Sequence, residues 1–132
     1  MNFVRKEILH YRSRKECFDR MKLHEVIDAL NPEIICEGDG ERVISGVIAG
    51  DLLSFIIGAA KEGEIWVTIQ IHLNVSAVAV LKELPMIILA SGREPSEELM
   101  EKCKEEKIAI IVVKESSYEV CALLHKLLHD KQ

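Results

Sequence analysis

The sequence predicts one α/β domain, with a mostly parallel sheet flanked by helices on both faces. Three observations carry that expectation. At 132 residues, nearly half of them apolar, the chain can bury one layered core and has no room for a second. From Asp51 onward, helical and strand-type patterns alternate, with connections long enough for parallel crossovers. Residues 86–90 and 108–113 are uninterrupted apolar runs, the pattern of strands covered on both faces.

The elements follow in order. Leu23, Val26, Ile27 and Leu30 fall at i, i+3, i+4 and i+7, and Asn31-Pro32 ends the helix they define. A brief strand over residues 33–37 runs into the turn Gly38-Asp39-Gly40, and residues 43–48 form a second extended piece. Asp51 precedes an apolar helix and is placed to cap its first amides. Residues 65–71 are a strand containing Trp66, residues 75–84 a helix, and residues 86–90 a strand. Pro95 stands where a first helical residue is expected, ahead of Ser96, Glu97 and Glu98. After the strand at 108–113, Ser116 or Ser117 can cap a closing helix whose Val120, Cys121, Leu124, Leu127 and Leu128 make one stripe.

Charge narrows the function classes. Six cations and three acids lie in residues 1–20, so that segment carries +3 and residues 21–132 carry −8. A basic amino-terminal arm, helix or tail, over residues 1–20 is therefore expected to precede an acidic α/β domain over 21–132. A mis-assigned start is the other reading of the arm. An acidic body repels polyanions, so nucleic acid is not an expected partner. No apolar run approaches the roughly 20 residues of a membrane span, and residues 1–20 lack a secretory pattern, so a cytoplasmic location is expected. Cys17, Cys36, Cys103 and Cys121 contain no Cys-x-x-Cys pair and read as separate small hydrophobes, without a metal or disulfide.

Catalytic signatures are missing: the sequence has no phosphate-binding Gly-rich loop, no Gly-x-Ser-x-Gly and no His-Glu-x-x-His. His125 and His129 stand at i, i+4, but Lys126 and Asp130 beside them suggest a solvated face. Polar residues gather elsewhere. Gln70, His72 and Asn74 lie at or after the end of the Trp66 strand, and Arg93 follows the next strand. In open α/β sheets the carboxyl ends of strands border the ligand crevice. These residues, with Asp51 nearby at a helix start, are the candidate ligand-binding set. Arg93 offers a planar fork for phosphate or carboxylate, and Gln70 and Asn74 offer a donor and an acceptor each for a base or amide edge. Their other reading is that they satisfy turn and helix-end backbone groups.

The runs at residues 48–54 and 60–70, with His72, Asn74, Val78-Ala79 and Gly92-Arg93-Glu94-Pro95, closely resemble the DRTGG domain family across about residues 21–128. The literal Asp-Arg-Thr-Gly-Gly string is absent. The resemblance implies a compact α/β domain akin to the amino-terminal domain of HPr kinase, found as an accessory unit beside CBS domains in regulated pyrophosphatases or within long phosphotransacetylases, with no established catalytic role. Some single-domain members are encoded near iron-only hydrogenase and electron-transfer proteins, which points to a partner enzyme of that kind.

The expected function is thus a non-catalytic regulatory module, needing no cofactor, that binds a small anionic or nucleotide-like ligand or a partner protein and acts through homodimerisation. Dimerisation is expected because residues 52–60 and 75–81 leave little polar face on their helices. The alternative cover is the basic arm itself, through Phe3, Val4, Ile8, Leu9 and Tyr11. Two other readings stand beside this one: a small enzyme using Asp51, His72 and Arg93, and a purely structural dimerisation domain.

Overall fold

The computed structural model describes residues 20–129; the expected basic arm, apart from Arg20, lies outside them. Helix α1 (Leu23–Leu30) buries Leu23, Val26 and Ile27 and ends at Asn31, whose N–H makes the last helical bond, to the Ile27 carbonyl, and whose left-handed backbone turns the chain out of the helix. Strand β1 (Glu33–Cys36) follows, then β2 (Gly46–Ala49), α2 (Leu53–Ala59), β3 (Glu64–Thr68), α3 (Asn74–Leu81), β4 (Met86–Leu89), α4 (Glu97–Glu105), β5 (Ala109–Val112) and α5 (Ser117–His129).

The five strands form one sheet in the order β1-β5-β4-β3-β2. Strands β2 to β5 are parallel neighbours in chain order, whereas β1 returns antiparallel beside β5 with a bulge between Ile34 and Cys36. Alternation along the strands divides the core in two. Ile65, Val67, Met86, Ile88, Ala109 and Ile111 face α1 and α5; Trp66, Ile87, Leu89, Ile110 and Val112 face α2, α3 and α4. The α/β architecture with helices on both faces is as the sequence predicts, and every residue of β4 and β5 is buried.

Local boundaries depart from the pattern reading in several places. The second extended piece shifts to residues 46–49, because Val43 instead bridges Lys22 and Ile44 donates to the Met21 carbonyl. The Trp66 strand ends at Thr68, and α3 begins at Asn74 and stops at Leu81. Pro95 is not the first residue of α4: Ser96 is the cap, its hydroxyl accepting from Leu99 N–H, and the helix begins at Glu97. Asp51 does not cap α2 either, as its carboxylate is engaged by the next strand. Ser116 does cap α5, in a reciprocal pair of bonds with Glu119.

One glycine is dictated by close packing. Gly38 has φ +66°, and a Cβ there would lie 2.6 Å from the Ala109 nitrogen, so no side chain fits where the chain leaves β1. Cys36 and Cys103 are buried in the layer beneath α4 and Cys121 is half-buried, all three as free thiols. Burial pushes the Cys103 thiol up to about 12, with the neighbouring Cys36 and Glu106 adding to the rise. Among the described residues no helix is long and apolar enough to cross a membrane.

Candidate functional site

The carboxyl ends of the parallel strands are laced together by loop backbone. Trp66, buried in the sheet, donates its indole N–H to the Gly50 carbonyl at 2.8 Å, and Gly50 N–H donates to Val67 O. These two bonds fix the turn that carries Asp51. Asp51 Oδ1 then accepts from the Thr68 hydroxyl at 2.9 Å and from Ile69 N–H at 3.0 Å. Gln70 Nε2 donates back to the Asp51 carbonyl at 3.0 Å.

The loop after β4 joins the same cluster. Arg93 Nε donates to the Ile69 carbonyl at 3.3 Å, so Ile69 is held through its N–H by Asp51 and through its C=O by Arg93. Ser91 and Gly92 adopt positive φ and donate their N–H groups to Glu115 O and Val113 O, tying this loop to the end of β5. Arg93 uses Nε for the anchoring bond, and among the described residues its terminal nitrogens form no hydrogen bond or ion pair. A guanidinium fixed at Nε presents a planar pair of donors matched to a phosphate or carboxylate.

Three of the five sequence-selected residues are therefore brought together: Asp51, Gln70 and Arg93. His72 and Asn74 stand exposed on the short link from β3 into α3, Asn74 as the first residue of the helix. Among the described residues no hydrogen bond or ion pair joins either side chain to the cluster. Asp51, His72 and Arg93 thus make no relay of acid, base and clamp: the carboxylate and guanidinium meet only through the Ile69 backbone. The described residues include no group of three or more His, Cys, Asp or Glu side chains placed to hold a metal. The His125 and His129 rings stack with centroids 4.3 Å apart, and His129 Nδ1 lies 2.9 Å from the His125 carbonyl.

Two features escape a linear reading. Thr68 is fully buried and supplies the hydroxyl that holds Asp51; its signal is a polar residue closing the apolar run Ile65-Trp66-Val67. The second is a hollow of about 460 Å³ between the α1–β1 turn and the ends of β4 and β5, lined by Asn31, Glu33, Gly92, Glu94 and Lys114 among others. The antiparallel return of β1 brings Glu33 against Glu94, and the Glu94 carboxyl rises above its ordinary range through partial desolvation first and the Glu33 hydrogen bond and charge second. Only the tertiary pairing of β1 creates that neighbourhood.

The fold has solved relatives. A crystal structure of the CBS and DRTGG domains of the regulatory region of Clostridium perfringens pyrophosphatase, complexed with the activator diadenosine tetraphosphate, superposes with a TM-score of 0.68 at 21% identity. The likeness covers 82% of this chain and 47% of that one, so the present chain spans about half of its relative's length. No curated protein matches the sequence. The family model of the DRTGG domain matches residues 10–127, beginning inside the segment read from charge as a separate arm. With that match over nearly its whole length, the chain belongs to the DRTGG domain family.

Proposed function

We propose that this protein is a non-catalytic, cytoplasmic regulatory module that binds a small anionic, nucleotide-like ligand at the carboxyl edge of its sheet and acts through homodimerisation. The observation that carries the reading is the double hold on Ile69, which fixes Asp51 and Arg93 on one rigid platform while leaving the Arg93 terminal nitrogens uncommitted. Preorganised donors of this kind bind anions without a further ordering cost. Gln70, His72 and Asn74 supply polar edges beside it for the rest of a ligand. Support of a second kind comes from the relative, a regulatory region solved with an adenine-containing activator. A partner enzyme of the electron-transfer or hydrogenase class belongs to the same proposal, as the target on which such a module would act.

The test is amide chemical-shift mapping of the isotope-labelled protein against ATP and citrate. Shifts are expected at residues 50–52, 68–74 and 91–94, and Arg93→Ala should weaken binding about tenfold or more, the loss of a charge-assisted bond. Shifts clustered elsewhere, or none at millimolar ligand, would sink the site. Turnover of ATP abolished by Asp51→Ala or His72→Ala would replace the proposal with the small-enzyme reading.

A further inference from the structure

Strand β1 sends two successive residues to the same side of the sheet. Ile35 and Cys36 both pack into the layer beneath α4, where strict alternation would turn one of them away, and the register slips between Ile34 and Cys36. A bulge of this kind re-aims a side chain, and here the side chain is a thiol. Cys36 Sγ donates to the Met100 carbonyl of α4 at 3.5 Å. Cys103 lies three residues further along that helix, fully buried on its inner face. A helical side chain leans toward the amino end and stands beside the carbonyl three residues before it, the geometry that lets serine and threonine bond back to that carbonyl. The Met100 carbonyl is thus a neighbour that both thiols share. Cys36 is accordingly among the groups that raise the Cys103 thiol.

The two sulfurs differ in access. Cys36 lines a hollow of about 570 Å³ between β1 and α4, with Ile35, Met100, Lys104 and Lys107 among its other walls. Cys103 has no exposed surface and lies behind it. Burial raises the Cys36 thiol while the Lys104 ammonium opposes that rise, whereas burial, Cys36 and Glu106 all push the Cys103 thiol up, to about 12. The thiolate is the attacking species in exchange, so Cys36 reacts first and Cys103 second. Strongly oxidising disulfides owe their potential to a stabilised reduced form, and burial denies both thiolates that stabilisation. A disulfide between these two sulfurs forms slowly and is reduced reluctantly.

From this placement we infer that Cys36 and Cys103 are a dithiol modification site whose substrate is a small-molecule disulfide and whose product is a covalent latch between β1 and α4. The Cys36 thiol loses its proton, attacks one sulfur of the small disulfide and expels the other as a thiolate. Cys103 then loses its proton and attacks the Cys36 sulfur of the mixed disulfide, expelling the second thiolate. The two expelled thiolates take up the two protons, so one protein disulfide forms as one small disulfide is reduced to two thiols. The latch depends on neither the anion site nor dimerisation.

The experiment uses the full chain carrying Cys17→Ser and Cys121→Ser, which leaves Cys36 and Cys103 as its only thiols. Circular dichroism confirms that it and each further variant are folded, and bis(2-hydroxyethyl) disulfide is the oxidant under native conditions. The mass should fall by two hydrogens, proteolytic mapping should join Cys36 to Cys103, and the urea midpoint should rise by about 1 M or more, reversibly on adding dithiothreitol. Adding Cys103→Ala should stop the reaction at a mixed disulfide on Cys36, and adding Cys36→Ser should leave the buried Cys103 unmodified. A parent chain that halts at a mixed disulfide would show the sulfurs to be out of bonding reach and overturn the latch. So would a folded chain that stays reduced while the urea-unfolded chain reacts. A crosslink that lowers the urea midpoint would overturn it as well, being a bond that the native positions do not fit.

Discussion

Helices α3 and α5 pack on opposite faces of the same sheet and finish their outer surfaces differently. Helix α5 buries Val120, Leu124 and Leu128 and turns Glu119, His125 and Lys126 to solvent alongside the apolar Tyr118, Ala122 and Leu123. Helix α3 buries Val75, Val78 and Ala79 and turns out Leu73, Ala77, Val80 and Leu81. Burying one stripe suffices to dock a helix on a sheet, as α5 demonstrates. The second stripe of α3 packs on nothing among the described residues, so its cause is sought in what covers it. The contrast separates the inner layers, which hold the domain together, from one outer layer that the described residues leave bare.

The largest effect expected from this contrast is on the inner layer. Leu124 is fully buried between α5 and the sheet, and Leu124→Ala should cost about 2–5 kcal/mol, the cost of a deleted buried side chain plus the cavity it leaves. Urea unfolding at several protein concentrations is the check. A loss that shrinks as protein concentration rises would mean that the α1–α5 face is also an interface, and the asymmetry between the faces would fail.

How far the asymmetry was legible follows from where its causes lie. Helix α1 and strands β4 and β5 are readable because their signals are local: a 3.6-residue repeat in one case, short unbroken apolar runs in the other. The uncharged stretches 52–60 and 73–81 are equally local. The site is legible only in part. Gln70 and Arg93 are marked by following apolar strands, but Asp51 before an apolar run looks like a helix cap, and its actual partner Thr68 lies 17 residues away on the adjacent strand. The parallel register of β2 against β3 sets Ala49 beside Val67 and so brings the two loops together, information that no window of sequence contains. The hollow between Glu33 and Glu94 depends likewise on the antiparallel return of β1.

A second, smaller effect tests whether the inner side of the α2–α4 layer is as dry as that beneath α5. Burial holds the Cys103 thiol protonated up to about 12 in the folded chain, against about 8.5 for an unfolded cysteine. A folded pKa above the unfolded one gives stability that is complete below about pH 8.5 and is lost as pH rises toward 12. The slope should approach about 1.4 kcal/mol per pH unit within that window. Comparing wild type with Cys103→Val at pH 7.5 and pH 10 isolates it, since the variant lacks the titrating group. Equal pH dependence in the two proteins would show that water reaches this layer.

The smallest effect on the folded monomer carries the sharpest test of the outer layer. Val80 is 42% exposed near the carboxyl end of α3, where a lysine is a good helix former and its charge suits the helix dipole. Val80→Lys should therefore change the stability of an isolated copy by no more than about 0.5 kcal/mol. Its effect on association should be far larger, because a two-fold contact through α3 sets the new lysine of one copy against the same apolar stripe, and against its own counterpart, in the other. The two consequences separate in a thermal unfolding series. A wild type that unfolds from a dimer has a midpoint that climbs with protein concentration, whereas the variant's midpoint should stay flat and coincide with the wild-type value extrapolated to high dilution. A midpoint that climbs equally in both proteins would move the interface off α3, and a wild-type midpoint that never climbs would mean that this apolar face is covered by something other than a second copy.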